Sequence, residues 1–157
     1  QYDAALGADV YFPQAGGRLP EGVGIGLQLV FVDYEDYHLR LRVVKQPTGD
    51  FDIQSLKLSA DGKEIQFPFS SAQLYDAYIY DELTCEIGEY QLNPDEVDFF
   101  FRLLGSDEST WKLTGSSESY ESGFDRLSVL GIGTVLRFKQ GLDEGYEIPE
   151  GLAKPLM

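Results

Sequence analysis

Apolar and polar side chains alternate along much of the first half of the chain, with the period of two that half-buried β-strands show. In the clearest stretch, 37–44, Tyr37, Leu39, Leu41 and Val43 alternate with His38, Arg40, Arg42 and Val44. The segment 25–32 also alternates and becomes apolar at every position toward its end, as expected for a strand inside a sheet. These two segments predict a hairpin.

A second hairpin is predicted around Asp61-Gly62, because a type I′ turn needs positive φ at both central residues and this dipeptide tolerates it. The alternation before this turn shifts by one position between Ile53 and Leu56, which predicts a β-bulge near Ser55. The strands expected in this part of the chain cover 51–58, 63–69, 77–80 and 83–90.

A helix is predicted over about 93–105. Asn93 offers a capping side chain, Pro94 suits the first helical position, and the acidic residues that follow favour a helix N-terminus. Gly105 is expected to end this helix. Its apolar residues recur at helical spacing along one side, at Val97, Phe100, Phe101 and Leu104.

The last third of the chain predicts two short strands, 110–116 and 120–127, followed by a closing helix over about 128–140 that Ser128 would cap. Gly131 and Gly133 would each cost this helix about 1 kcal/mol relative to alanine, so a strand remains the alternative.

These elements predict one α+β domain over residues 1–157, in which the two helices pack on a mostly antiparallel sheet built from hairpins. A β-sandwich with one helix is the alternative. The glycines and prolines of residues 1–24 predict an irregular N-terminal arm, in which Val10, Tyr11 and Phe12 could form one short strand. Residues 142–157 predict an extended C-terminal tail.

The chain carries 12 basic and 27 acidic residues, a net charge of -15. Such a field repels phosphate backbones, which argues against a nucleic-acid partner. The segment from Asp76 to Asp125 holds thirteen acidic and two basic residues, so -11 of the charge lies there. No apolar run approaches the ~20 residues needed to span a bilayer. The chain is acidic, and its first residue is Gln1 and not methionine. Both features favour an extracytoplasmic location (periplasmic, surface or secreted), although a trimmed chain would begin in the same way.

Four basic or titratable residues make the candidate binding site: His38, Arg40, Arg42 and Lys45. The first three fall on one side of the predicted strand and form a small basic ridge. Such a ridge would bind an acidic group of another protein or pair internally with the acidic segment.

Catalytic chemistry is not predicted, because the chain has one cysteine, Cys85, and one histidine, His38, and no motif selects a nucleophile or a cofactor. No metal site is predicted either. The acidic turn with Asp33, Glu35 and Asp36 is the best candidate for Ca²⁺, but it lacks EF-hand spacing. We therefore expect a non-enzymatic binding or structural protein. The alternative is a small-ligand or Ca²⁺-binding protein that uses clustered acidic residues, or a carboxylate-dependent hydrolase.

Overall fold

The computed structural model describes the backbone of residues 2–3, 8–11, 22–32, 36–46, 51–79 and 83–145. The strands in these ranges are β1 (Tyr2–Asp3), β2 (Ala8–Tyr11), β3 (Val23–Phe31), β4 (Tyr37–Lys45), β5 (Ser55–Ala60), β6 (Lys63–Pro68), β7 (Leu74–Ile79), β8 (Leu83–Gln91), β9 (Ser109–Thr114) and β10 (Ser119–Gly123). The helices are α1 (Pro94–Leu104) and α2 (Arg126–Asp143).

The described strands form two antiparallel sheets. One sheet has six strands in the order β1-β2-β3-β4-β8-β7, and the other has four strands in the order β10-β9-β5-β6. The predicted α+β class is confirmed, with the two expected helices rather than the one of the alternative. The expectation named one sheet, whereas the hairpin β5–β6 pairs with β9 instead of β8 and so starts a second sheet.

The core lies between the two sheets and the helices. Strands β3 and β4 contribute their odd-numbered residues, so that Leu27 lies opposite Leu41 and Leu29 opposite Leu39. Each leucine buried in this way stabilises the fold by roughly 1.5–3 kcal/mol. The other fully buried large side chains of the same cluster are Leu56, Leu58, Phe67, Phe100, Leu103, Leu113, Ile132 and Leu136.

Both hairpin signals of the sequence are present. Strands β3 and β4 pair along their whole length, and Asp61 (φ 48°) and Gly62 (φ 83°) form the turn with positive φ at both positions. The predicted bulge is also found, because the N–H of Gln54 donates to the carbonyl of Thr114 (2.8 Å) although Ser55 is the residue opposite Thr114. The slip in the alternation therefore has a structural cause.

Helix α1 begins as the sequence predicts. The Asn93 side chain accepts a hydrogen bond from the N–H of Glu96 (2.9 Å), and the Glu96 carboxylate accepts one from the N–H of Asn93 (2.9 Å). This reciprocal pair is a capping box, here with asparagine at the cap. Gly105 ends the helix as its C-cap with φ -94°, so it does not use the left-handed conformation that glycine permits.

Helix α2 confirms the closing helix and extends it at both ends. Asp125 is the cap instead of Ser128, because the Asp125 carboxylate accepts the N–H of Ser128 (2.7 Å). This earlier start moves residues 126 and 127 from the predicted strand into the helix. Gly133 faces α1, where a Cβ would lie 3.5 Å from the side chain of Leu104, an ordinary van der Waals contact.

The arm and the tail fall largely outside the described residues. Strands β1 and β2 lie within the arm predicted as irregular, and β3 begins at Val23, two residues before the predicted strand. At the other end, α2 continues to Asp143, which accepts a hydrogen bond from the hydroxyl of Tyr37 (2.7 Å). The expected extension of residues 146–157 lies outside the described residues.

Candidate functional site on the polar face of the six-stranded sheet

The six-stranded sheet has a second face, opposite the core, which we call the polar face. It carries the even-numbered residues of β4, because side chains alternate along a strand. In this register Arg40 lies between Gln28 of β3 and Gln91 of β8. The next residue on the same face, Arg42, lies between Gly26 and Glu89. Two arginines thus lie next to each other along β4, at the centre of the sheet.

Arg40 is held by its neighbours on both sides. The Gln28 side-chain oxygen accepts hydrogen bonds from Nε (2.8 Å) and Nη2 (2.5 Å) of Arg40, and Nη2 forms an ion pair with Oε2 of Glu89 at 2.6 Å. Arg40 is only 6% exposed. A buried charge needs such partners, and removing one of them typically costs about 3–5 kcal/mol. Arg40 therefore pairs internally with the acidic segment, one of the two outcomes that the sequence left open.

Arg42 has no comparable partner. Glu89 lies directly opposite Arg42 in the register, but its carboxylate contacts Arg40 and Tyr75. The Nε of Arg42 is buried and has no hydrogen-bond acceptor, and among the described residues no carboxylate lies within ion-pair distance of its guanidinium. A buried donor without an acceptor costs roughly 1–3 kcal/mol, so an added acceptor at this position would be stabilised.

Space for an acceptor lies next to Arg42. Gly26 is the residue opposite on β3, and no heavy atom of the described residues lies within 4 Å of the position that a Cβ would occupy there. Directly opposite residues in an antiparallel pair have Cβ atoms about 4.5–5.5 Å apart, which is within reach of a guanidinium. The missing side chain therefore leaves an open position opposite the Cβ of Arg42, while the guanidinium charge of Arg42 acts on Tyr75 of β7 and Cys85 of β8.

Two titratable side chains lie near the arginines, Tyr75 near Arg42 and His38 near Arg40. Tyr75 belongs to the edge strand β7 and is 43% exposed. Partial burial, a hydrogen bond to Glu89 and the charge of that carboxylate raise the pKa of Tyr75 to about 12. Burial and the nearby charge of Arg40 lower the pKa of His38, so His38 is neutral near pH 7. At that pH the polar face therefore presents Arg42 as its cation without an ion-pair partner among the described residues.

Lys45 lies on the other face, toward the core. It is 6% exposed, its Nζ donates to the carbonyl of Gln46 (2.9 Å), and it lies 4.9 Å from the ring centre of Tyr120 and 5.7 Å from that of Phe51. These contacts are cation–π interactions. The structure thus brings His38, Arg40 and Arg42 together on one face and separates Lys45 from them.

Glu86 is a buried acid that the sequence does not single out. It lies opposite Lys45 in the register and is 5% exposed. Its carboxylate accepts hydrogen bonds from the successive N–H groups of Asp52 and Ile53, where Asp52 has φ 53°. Two successive N–H groups at such a backbone turn form a small anion-binding concavity. Burial, which outweighs these hydrogen bonds, raises the pKa of Glu86.

The acidic turn proposed for Ca²⁺ is only partly described. Asp33 and Glu35 lie outside the described residues, and Asp36 is exposed. Its carbonyl accepts a hydrogen bond from the N–H of Val32 (2.8 Å). Across the described ranges, no three histidine, cysteine, aspartate or glutamate residues are grouped so that they could hold a metal ion.

Neither described helix combines the length and apolar character that crossing a bilayer requires.

The chemistry that this arrangement can perform is anion recognition. A guanidinium presents a planar fork of donors that matches carboxylate and phosphate oxygens, and partial burial strengthens such contacts relative to water.

Sequence reasoning found the arginines but missed Gly26, Gln28, Tyr75 and Glu89. The alternation of glycine with apolar residues in β3 marked Gly26 as a position on the polar side, but only the strand register places it beside Arg42. Comparisons of the chain with protein-family models, with curated proteins and with solved structures found no match.

Proposed function

We propose that this chain is a non-enzymatic binding protein, acting outside the cytoplasm, that receives a carboxylate of a partner protein beside Arg42 on the polar face. The observation that carries the proposal is the buried Nε of Arg42, for which no described residue provides a hydrogen-bond acceptor. Opposite Arg42, no heavy atom of the described residues lies within 4 Å of the Cβ position of Gly26. A partner's aspartate, glutamate or C-terminal carboxylate would fill that space.

The neighbouring residues support a binding role for Arg42 in particular. Gln28 and Glu89 already satisfy Arg40, so Arg40 acts as part of the scaffold. Tyr75 adds an exposed aromatic ring at the sheet edge. Tyrosine and arginine are the residue types that most often dominate binding energy at protein interfaces.

The overall charge narrows the kind of partner. The chain carries -15, and Asp76 to Asp125 alone contributes -11. Long-range repulsion would slow the approach of an acidic protein, whereas a protein of basic net charge would be attracted. The proposed partner is therefore a basic protein that presents one carboxylate at the contact.

The experiment uses glutarate as a small carboxylate probe and NMR of the arginine Nε–H groups. One charge-assisted contact of about 2–3 kcal/mol corresponds to a dissociation constant of roughly 5–40 mM, so the titration runs to 100 mM at constant ionic strength. We expect the Nε–H signal of Arg42 to shift and saturate, and the signal of Arg40 to stay in place.

Two variants and one control make the experiment specific. Gly26→Asp places a carboxylate of the chain itself opposite Arg42 and should abolish the saturable shift. Arg42→Gln removes the guanidinium, so the Nε–H signal that shifts in the parent protein should be absent, which confirms its assignment. Arg126→Gln removes the same charge from an exposed position of α2 and should leave the titration unchanged. A signal of Arg42 that stays unmoved by glutarate, or that shifts equally in Gly26→Asp, would rule out the proposed site.

A further inference from the structure

The exposed strand β6 offers a second surface, independent of Arg42. It is an edge of the four-stranded sheet and pairs with β5 on one side. The two-residue turn places Lys63 in the first ladder pair, opposite Ala60, and the N–H of Phe69 donates to the carbonyl of Gln54 (2.9 Å). Because bonded positions alternate along a strand, odd-numbered residues of β6 direct their backbone groups toward β5.

The even-numbered residues of β6 direct their backbone groups away from the sheet. Glu64 and Gln66 each present an N–H and a carbonyl there, and both residues are exposed. Pro68 occupies the next such position and has no N–H to donate. An added strand would therefore pair with the first half of β6, and Pro68 would limit its extension.

A groove of about 330 Å³ lies beside this first half of β6, between the strand and α1. Its lining residues are Lys63, Glu64, Ile65, Asp95, Asp98, Phe99 and Arg102. The four helix residues recur at i, i+3, i+4 and i+7, so they share one side of α1. From Asp95 to Arg102 the helix rises about 10 Å, which is the length of about three residues of an extended strand.

The groove combines an apolar floor with unpaired acids. Ile65 and Phe99 provide the apolar contacts. Asp95 and Asp98 form no ion pair with any described residue, although Arg102 and Lys63 line the same groove. Two carboxylates beside the groove favour a cationic side chain in its occupant.

We propose that an extended segment of another protein adds as a strand to β6, with an apolar side chain on Ile65 and Phe99 and a lysine or arginine beside Asp95 and Asp98. Only an extended backbone matches donors and acceptors that recur at every second residue. Strand addition of this kind gains affinity from the main chain and specificity from alternate side chains.

The test uses a blocked pentapeptide with the sequence threonine-valine-threonine-lysine-threonine, whose valine and lysine share one face of an extended chain, and amide hydrogen exchange read by NMR. At saturating peptide we expect exchange at Glu64 and Gln66 to slow at least ten-fold, and exchange at Ile65 and Phe67 to stay as it is. Replacing the peptide lysine by glutamate should weaken binding at least five-fold.

Variants distinguish strand addition from nonspecific binding of the peptide. Gln66→Pro removes one outward donor at a position equivalent to Pro68, so the pairing with β5 should persist while peptide binding is lost. Asp98→Asn should weaken binding of the lysine peptide at least three-fold, and the exposed control Glu144→Gln should not change it.

Three results would overturn the proposal. The first is equal peptide affinity for Gln66→Pro, and the second is equal affinity for the glutamate peptide. The third is protection of Glu64 and Gln66 that grows with protein concentration in the absence of peptide, because a second copy of the chain would then be the occupant. Arg42→Gln should bind the peptide normally, so failure at this groove is distinguishable from failure at the polar face.

Discussion

Replacing Gly115 by alanine should destabilise the protein strongly, because the backbone of residue 51 lies against this glycine. A Cβ at position 115 would lie 2.3 Å from the carbonyl oxygen of Phe51 and 2.9–3.0 Å from two atoms of its ring. The nearest atom belongs to the backbone, so a change of side-chain rotamer cannot relieve the clash.

The magnitude follows from two contributions. Overpacking of this kind typically costs about 1–3 kcal/mol. The same carbonyl accepts a hydrogen bond from the N–H of Ser116 (2.9 Å), and its displacement would forfeit a further ~0.5–1.5 kcal/mol. Together these contributions predict a loss of about 2–4 kcal/mol, which for a chain of this size lowers Tm by roughly 5–15 °C.

Gly26→Ala is the matched control. A Cβ at that position meets no heavy atom of the described residues within 4 Å, and alanine in a strand is favoured over glycine by about 0.5–1 kcal/mol. Thermal and urea unfolding of both variants should therefore move Tm in opposite directions, with unchanged m-values. If Gly115→Ala unfolds within 2 °C of the parent protein, the close approach of residues 51 and 115 is not part of the native packing.

Three further predictions concern charge and capping. Burial raises the pKa of Glu86, so the stability that its protonated form contributes is greatest below the ordinary glutamate pKa and is lost as pH rises. The Tm of Glu86→Gln should therefore exceed that of the parent protein by an amount that grows from pH 4.5 to pH 7. A difference in Tm that does not change with pH would contradict this prediction. Asn93→Ala should lower stability by about 1 kcal/mol in urea unfolding through loss of the α1 cap, whereas no loss would show that the cap contributes nothing. Millimolar Ca²⁺ should not raise Tm more than Mg²⁺ does, and a Ca²⁺-specific rise would revive the alternative of a cation-binding protein.

Local signals predicted most of the secondary structure correctly. The turn at Asp61-Gly62 and the start of α1 each depend on a few adjacent residues, and both were found where the sequence indicates. The start of α2 was misplaced because Asp125 and Ser128 are both competent caps, and the one that caps the helix is Asp125, whose carboxylate accepts the N–H of Ser128. Local chemistry alone does not distinguish such neighbours.

The division into two sheets could not be predicted, because it depends on which distant strands pair. Asp52 adopts φ 53° in the segment before β5, and the Glu86 carboxylate accepts the N–H groups there. Neither the positive φ of a non-glycine residue nor a contact across 33 residues leaves a mark in the alternation of side chains. The sequence therefore predicted a strand from residue 51, whereas β5 begins at Ser55.

The candidate site was predictable only as a row of residues. Alternation placed His38, Arg40 and Arg42 on one side of a strand, but it could not say which arginine would meet an acid. That outcome depends on register, which sets Gln28 beside Arg40 and Gly26 beside Arg42. A shift of two residues between β3 and β4 would place either Gly26 beside Arg40 or Gln28 beside Arg42.

The net acidic charge of the chain and the side chain of Arg42 would act on a partner at different distances. At physiological ionic strength charges are screened beyond ~8 Å, so the net charge of -15 acts on approach and mainly at low salt, where it favours basic proteins. Under the proposed function, Arg42 acts only at contact, where partial burial limits screening and the partner's carboxylate lies at the open position over Gly26. Salt should therefore reduce the association rate of a basic partner, while Arg42→Gln should increase its dissociation rate. An acidic chain can in this way attract a basic protein and still recognise it by one of its acids.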